Sequence, residues 1–300
     1  MRFIAVVLGA LAVLNVVPVA VQSDRPLPDL DTFLGETRTR MQLNEDQQAN
    51  YFYVETRREA QLDGSGQPKG ESVKVFENYP GVPGEGRWER LVSEDGRPVP
   101  AEELAEAERK RVRKAQDLTR KFENLSDDDR AKMTREYEKQ QRESEEMIDD
   151  AFRVFDAQMI GREIVGGHST IALSLTPRRN AKTETRIGGM LRHFQGRMSI
   201  SESDYEMVGL DVTALDDATM GFGLLARIHR GTRFAMERQK VDGNVWLPVR
   251  AAFNLSARIG LFKRIRINAT SEFSSYRKFS ARIPAADVTP ATFDPGPKTP

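Results

Sequence analysis

The sequence predicts a mainly β chain of the α+β class: an antiparallel sheet, a few short helices and an inserted pair of long charged helices. Three observations carry this. Between Val245 and Arg258, Leu247, Val249, Ala251, Phe253, Leu255 and Ala257 alternate with Arg250, Ala252, Asn254, Ser256 and Arg258, a period of two with one apolar and one polar face. The flanking segments repeat the pattern: Ile265, Ile267, Ala269 and Phe273 oppose Arg264, Arg266, Asn268, Thr270 and Glu272, and Phe234 and Met236 oppose Arg233, Ala235 and Glu237. From Ala101 to Asp150 more than half of the residues are charged, and neither Gly nor Pro interrupts them, as expected of long solvated helix.

Taken in order, the chain opens with Arg2 and an apolar run from Phe3 to Val17, a secretory signal with cleavage expected near Ala20 or Ser23. The run is short for a membrane span, which needs about 20 apolar residues, and no later segment is apolar enough for one. Leu30, Phe33, Leu34, Thr37 and Met41 recur at helical spacing after Asp29 or Asp31, either of which suits an N-cap, so a helix is expected over Leu30–Gln48. Tyr51 to Leu62 reads as a strand, Asp63-Gly64-Ser65-Gly66 as its turn, and Val73 to Tyr79 and Trp88 to Val92 as two more strands with a loop at Pro80 to Gly86. In the charged insertion, 101–150, Ser126 and Asp129 form a capping box that starts a second helix.

The sheet resumes at Phe155, with Gly166-Gly167-His168 turning one strand into the next and Ile171, Leu173 and Leu175 on one face. Ile187, Met190, Leu191 and Phe194 fall at i, i+3, i+4 and i+7, an amphipathic helix loosened by Gly188 and Gly189 and a candidate lid. Val208, Leu210, Val212 and Ala214 define the apolar face of a later strand; Met220 to Ile228 fits helix or strand equally; Asp242-Gly243-Asn244 is a hairpin turn. One domain is expected over 24–280, followed by a Pro-rich tail, 281–300, without a fixed structure.

Composition narrows the function. The 300 residues are 39% apolar and 30% charged with zero formal net charge, so nothing draws the chain to nucleic acid or an anionic membrane in general. There is no cysteine, which removes disulfides, thiol chemistry and the lipidated cysteine of a lipoprotein. No nucleophile elbow, paired-histidine metal motif or phosphate loop occurs, and no cofactor or metal is expected. Ser275 and Lys278 have Ser-x-x-Lys spacing at the end of a strand, where that chemistry needs a helix start; Asp63 to Lys74 lacks the last carboxylate of a calcium loop. His168, His193 and His229 have no ligand-spaced neighbours in sequence, Asp127-Asp128-Asp129 suits a helix start, and Arg258, Lys263, Arg264 and Arg266 suit a solvated sheet face. Of the sequons at Asn124, Asn254 and Asn268, two lie inside strands.

The apolar sheet face, read from the residues alone, is either a core filled by helices or a cavity for an apolar ligand. Its candidate lining is Leu173, Leu175, Leu210, Val212, Phe234, Met236, Phe253, Leu255, Ile265, Ile267 and Phe273, and Met190, Met198, Met207, Met220 and Met236 supply adaptable side chains.

The phrase Asp242-Gly243-Asn244-Val245-Trp246-Leu247-Pro248, leading to Phe262-Lys263-Arg264-Ile265-Arg266 and to Glu272-Phe273-Ser274-Ser275-Tyr276-Arg277-Lys278-Phe279, resembles exported proteins of the outer-membrane lipoprotein-sorting (LolA-like) group. The resemblance covers most of 30–62 and 152–279. It implies an open antiparallel half-barrel with covering helices, a periplasmic location, no catalysis, and a lipoprotein or acyl chain as partner. The same architecture serves envelope-stress regulators, which implies a second possibility: a protein-interaction module, with an envelope protein contacting helices 101–150. The charged insertion and the Pro-rich tail depart from the compact carriers.

Overall fold

The computed structural model describes residues 19–20, 25–82, 86–220, 226–241, 243, 245–259 and 263–278; most of the expected leader and the Pro-rich tail lie outside them. In chain order the elements are β1 (Val19–Ala20), α1 (Leu30–Gln48), β2 (Tyr51–Leu62), β3 (Pro68–Val82), β4 (Gly86–Glu94), β5 (Arg97–Pro98), α2 (Ala101–Glu123) and α3 (Asp127–Val154). Then come β6 (Phe155–Val165), β7 (His168–Pro177), α4 (Arg186–Leu191), β8 (Phe194–Ser201), β9 (Met207–Ala214), β10 (Ala218–Met220), β11 (Ala226–Ile228), β12 (Arg233–Val241), β13 (Val245–Ile259) and β14 (Lys263–Lys278).

The strands form an antiparallel sheet in the order β1-β6-β7-β8-β9-β12-β13-β14-β2-β3-β4-β5, with β10 and β11 as a small hairpin added beside β13. It does not close into a barrel, so β1 and β5 remain edges. Tight turns set most of this: Gly166 and Gly167, both at positive φ, let β6 return as β7, and Asp63 accepts three hydrogen bonds from Ser65 and Gln67 to fix the β2–β3 turn. The non-local step is β14 pairing with β2, which closes 200 residues of chain in between onto one ladder, as in Ile267 opposite Gln61 and Lys278 opposite Tyr51.

Helix α1 starts where Asp29 accepts the Thr32 amide at 2.9 Å and ends against the sheet, where the Asn44 side chain both donates to the Trp246 carbonyl and accepts its amide, each at 2.9 Å. Phe33 of α1 sits in the main core with Val154, Ile171, Leu173, Leu175, Ile200 and Val212. The capping box at Ser126 starts α3, the Ser126 Oγ accepting the Asp129 amide at 3.1 Å.

Several expectations are corrected. β3 runs through Pro80 to Val82, because Pro80 falls in a register shift between Tyr79 and Val82 where no ladder hydrogen bond is demanded of it. Phe194 opens β8 instead of ending a helix, and its side chain is core. The segment Met220 to Ile228, which fitted helix or strand equally, is strand at its two described ends, Met220 closing β10 and Ala226–Ile228 forming β11, while 221–225 lie outside the described residues. Val208 does not share a face with Leu210: the register slips between Ser199 and Ile200, and Val208 packs with Val165 and Trp246. The inserted pair of helices is anchored at its base, Ile148 and Asp150 in the last turns of α3 being buried.

Candidate ligand-binding face

Cross-strand partners in an antiparallel ladder point to the same side, so the register traces each face. Leu175 opposes Gly196, Gly196 opposes Val212, Val212 opposes Phe234, Phe234 opposes Phe253 and Phe253 opposes Ala269. This apolar row therefore runs unbroken from β7 to β14. A parallel row joins Leu173, Met198, Leu210 and Met236, and a third places Leu255 opposite Ile267 and Ala257 opposite Ile265.

Cover on that face is unequal. Over β6 to β9 it is complete: Phe33, Leu30 and Leu34 of α1, Val154 of α3, and Met190 and Leu191 of α4 press on Leu173, Leu175 and Val212, and Leu173 is 1% exposed. These three expected lining residues are core packing. Leu210 and Phe234 are half-buried at its margin. Over β12 to β14 the cover thins: α1 meets β13 at the Trp246 backbone through Asn44, and among the described residues no helix residue shares a core cluster with Phe253, Leu255, Ile265 or Ile267. Phe253 is 41% exposed, and Met236, Leu255, Ile265, Ile267 and Phe273 are half-buried. Of the expected lining, this group is the part that faces open space; Phe234 and Phe253 stack edge-on at 5.5 Å, and Tyr53 and Phe273 at 5.6 Å.

The expected lid is not loose. Asp150, fully buried, accepts the Thr185 amide at 2.7 Å, the Thr185 hydroxyl at 2.8 Å and the Glu184 amide at 3.1 Å, and pairs with Arg153 at 2.7 Å. Burial pushes this carboxyl up, but the hydrogen bonds from Thr185 and Glu184 and the charge of Arg153 outweigh that and hold it below the usual aspartate value. Gly188 follows directly: a Cβ there would run into the Asp150 carboxylate, so glycine is a packing requirement. Thr185 caps α4 through its Oγ, which accepts the Gly188 amide at 2.9 Å, and Met190 and Leu191 are held inward while Ile187 stays exposed.

The opposite, polar face forms a trough of about 470 Å³. Glu163, Arg197, Ser199, Asp211, Arg233, Arg250, Asn254 and Thr270 line it together with Val165, Ala235 and Ala252, and Leu210, Met236, Phe253 and Ala269 of the apolar rows border it. Its charges are matched across strands. Arg197 pairs with Glu163, whose other oxygen accepts the Ser199 hydroxyl at 2.5 Å; Arg233 Nε donates to Asp211 at 2.7 Å; Asn254 donates to Asn268 at 2.7 Å. These paired charges of the trough are thus neutralised by its own side chains.

A second basin, about 500 Å³, lies over β2 and β3. Arg57, Glu59, Gln61, Lys69, Lys74 and Phe76 line it, and Glu59 and Gln61 oppose Ala269 and Ile267, so it adjoins the open apolar strip on the same face. Its signal in the sequence is the run Glu55, Arg57, Glu59, Gln61 at period two: a strand whose inward row is charged where its neighbours' rows are apolar.

Other titratable groups have structural partners. The His168 ring packs on Trp246 at 4.7 Å, His193 Nδ1 lies 2.5 Å from Asp216 and His229 Nδ1 3.2 Å from Asp217. Those bonds, with a backbone amide from Arg230 to Asp217, hold both carboxyls below their usual values. No group of three metal-ligating side chains occurs among the described residues, and no described helix is long and apolar enough to cross a membrane. Glu206 is buried with Oε2 3.6 Å from Arg238, and burial pushes it up to about 7, Arg238 and Arg40 offsetting part of the effect.

No protein-family model and no curated protein matches the sequence. Among solved structures the chain is similar to LolA superfamily protein NE2245 from Nitrosomonas europaea, at 10% identity over 88% of this chain and 98% of that one, with a TM-score of 0.34. It is similar to a domain described as an outer membrane lipoprotein-sorting protein from Vibrio parahaemolyticus, at 9% identity over 83% and 94%, TM-score 0.33. It is also similar to the MucA/MucB complex structure from Pseudomonas aeruginosa, at 11% identity over 83% and 99%, TM-score 0.20. These are likenesses of fold, too distant to carry an argument about what this chain binds.

Proposed function

We propose that this is an exported, periplasmic, non-enzymatic binding protein that holds an acyl chain, free or on a lipidated protein, against the open half of its apolar face. The supporting observation is the half-cover itself: one apolar row continues from under the helices into a strip where Phe253, Leu255, Ile265 and Ile267 have no helix over them among the described residues. Each methylene laid there contributes about 0.8 kcal/mol, so a modest strip suffices for binding. Export rests on the leader read from the sequence.

Native mass spectrometry of the chain purified without detergent tests the reading. Bound lipid, or uptake of added laurate or a triacylated lipopeptide, is the expected result, with Phe253→Glu abolishing uptake at unchanged secondary structure. A protein that arrives empty and takes up neither overturns it.

A second reading, a protein-interaction module, draws on α2 and α3, whose middle turns are solvated and charged while their bases are anchored. Arg90 pairs with buried Glu77 and lies 3.4 Å from Glu108, Arg111 covers the Tyr79 ring at 4.8 Å, and Asp150 holds the other end. Trimming 115–140 keeps both anchors. Retained lipid uptake with loss of a partner protein then favours a separate interaction role, and loss of uptake makes the helices part of the lipid site.

A further inference from the structure

The sheet has one basic end. Two stretches that pair there, 218–232 and 251–271, carry Arg227, Arg230, Arg258, Lys263, Arg264 and Arg266 and no Asp or Glu, in a chain whose formal net charge is zero. The register gathers three of the arginines. Arg227 of β11 opposes Arg258 of β13, and Arg258 opposes Arg264 of β14, so the three stand in one row on one face, about 10 Å from end to end. Arg266 follows two positions along β14 on the same face, and Arg264 and Arg266 are exposed. We infer that this end of the sheet docks the protein on an anionic phospholipid bilayer.

The row is short of carboxylates. Like charges directly opposite one another cost stability, and only Asp217 relieves this row: it lies 3.1 Å from Arg227 Nε and is shared with His229. Arg258 and Arg264 have no ion pair among the described residues, and the Arg258 Nε is buried without a hydrogen-bond acceptor. Arg266 donates to a neutral partner, the Gly64 carbonyl, at 2.8 Å. The carboxylates around the patch are already engaged or stand apart from it. Asp211 pairs with Arg233, and Asp216 with Arg179 and His193. Asp63 accepts from Ser65 and Gln67 in its own turn with the charge of Lys69 nearby, and Glu71 stands on β3, two strands from β14. Counted with Arg230 and with these neighbours, cations outnumber carboxylates by eight to five. The choice of a lipid surface over another polyanion rests on the acyl-chain reading. Arg258, Arg264 and Arg266 alternate along β13 and β14 with Ala257, Ile265 and Ile267, so the stretch of sheet that holds the acyl chain is the stretch brought to the membrane.

Flotation of the exported chain with vesicles tests the patch, using phosphatidylcholine alone and phosphatidylcholine with an equal part of phosphatidylglycerol. Binding to the mixed vesicles is expected to be tighter by at least about tenfold and to fall as salt is added. Arg258→Gln with Arg264→Gln is expected to weaken it about 25-fold, at about fivefold for each arginine near an anionic surface. The same exchange at two exposed arginines of α2, Arg109→Gln with Arg113→Gln, is expected to leave it unchanged. Folding is checked by the urea midpoint, which relief of the like-charge row is expected to leave unchanged or raise. Equal binding to the two vesicles, or a preference that survives the loss of Arg258 and Arg264, overturns the patch. Duplex DNA that displaces the protein from the vesicles at matched phosphate concentration makes it a general polyanion site and overturns the lipid assignment. Laurate uptake without a vesicle preference removes the patch alone, whereas a vesicle preference without laurate uptake upholds the patch and removes the acyl-chain reading.

Discussion

The β6–β9 half and the β12–β14 half of the sheet carry the same alternation on the same face, yet one is core and the other is surface. Leu173 and Phe253 make the contrast concrete: 1% against 41% exposed, both on inward rows of continuous ladders. What separates them is cover. Helices α1, α3 and α4 all pack on the first half, α1 reaching the second where Asn44 bonds the Trp246 backbone, and the Asp150 staple ties α3 to α4. A period of two establishes that a row is one-sided and says nothing about what lies over it.

The sharpest way to break this comparison is one chemical change in both halves. Leu173→Ala is expected to cost about 2–5 kcal/mol, since it empties a packed site, whereas Phe253→Ala is expected to cost about 1 kcal/mol or less. Urea midpoints for the two variants decide it; equal losses mean that both halves are core. Next in size, Asp150→Ala removes a carboxylate with three hydrogen-bond donors and an ion pair, at about 2–3 kcal/mol, and exposes α4 to faster amide exchange while β12 to β14 are unaffected. Exchange that stays slow in α4 means the staple is dispensable.

Glu206 sharpens the picture through pH. Its folded value, about 7, stands above the ordinary 4.5, so between those limits the folded chain holds a proton that the unfolded chain has released. Stability from this group is present below about pH 4.5 and falls as pH rises through 7, on the order of 3 kcal/mol in all. Asp150 has the opposite sign: its lowered value contributes stability above the ordinary 3.8 that is lost as pH falls through the folded value. Urea midpoints at pH 5 and 7.5 are expected to differ in the wild type and to converge in Glu206→Gln. Smallest of all, Ser126→Ala removes the α3 cap at about 1 kcal/mol, read as helix fraying by circular dichroism, with lipid uptake unchanged.

Much of the fold was legible because its signals are local. The Asp29 cap and the Leu30 periodicity place α1; Asp63 and the paired glycines 166 and 167 place turns; Ser126 places the break between α2 and α3. Less legible were the features that depend on register. The slips beside Ser199 and beside Glu237 redirect Val208 and leave Val249 without an opposite partner, and a single inserted residue is invisible to a two-residue period. Gly188 looked like looseness, and only its position over Asp150 shows it to be close packing. For the candidate site, the alternation puts Leu173 and Phe253 on one face and does not tell the buried residue from the exposed one, because helix docking is a tertiary choice that neither announces. The charged basin beside the strip was missed, although Arg57 and Lys74 occupy inward positions of β2 and β3.

Helices α2 and α3 are the only covalent route from β5 to β6, while β14 and β2 join the same two parts of the sheet through ten paired positions. The molecule is thus a ring with one link made of peptide and the other of hydrogen bonds. Cleavage at the turn between Asn124 and Ser126 opens only the peptide link, so the two fragments are expected to stay together and to be expressible as separate, self-assembling genes. Measured as recovered lipid uptake, that reassembly makes the chain a natural split reporter whose halves meet at β2 and β14.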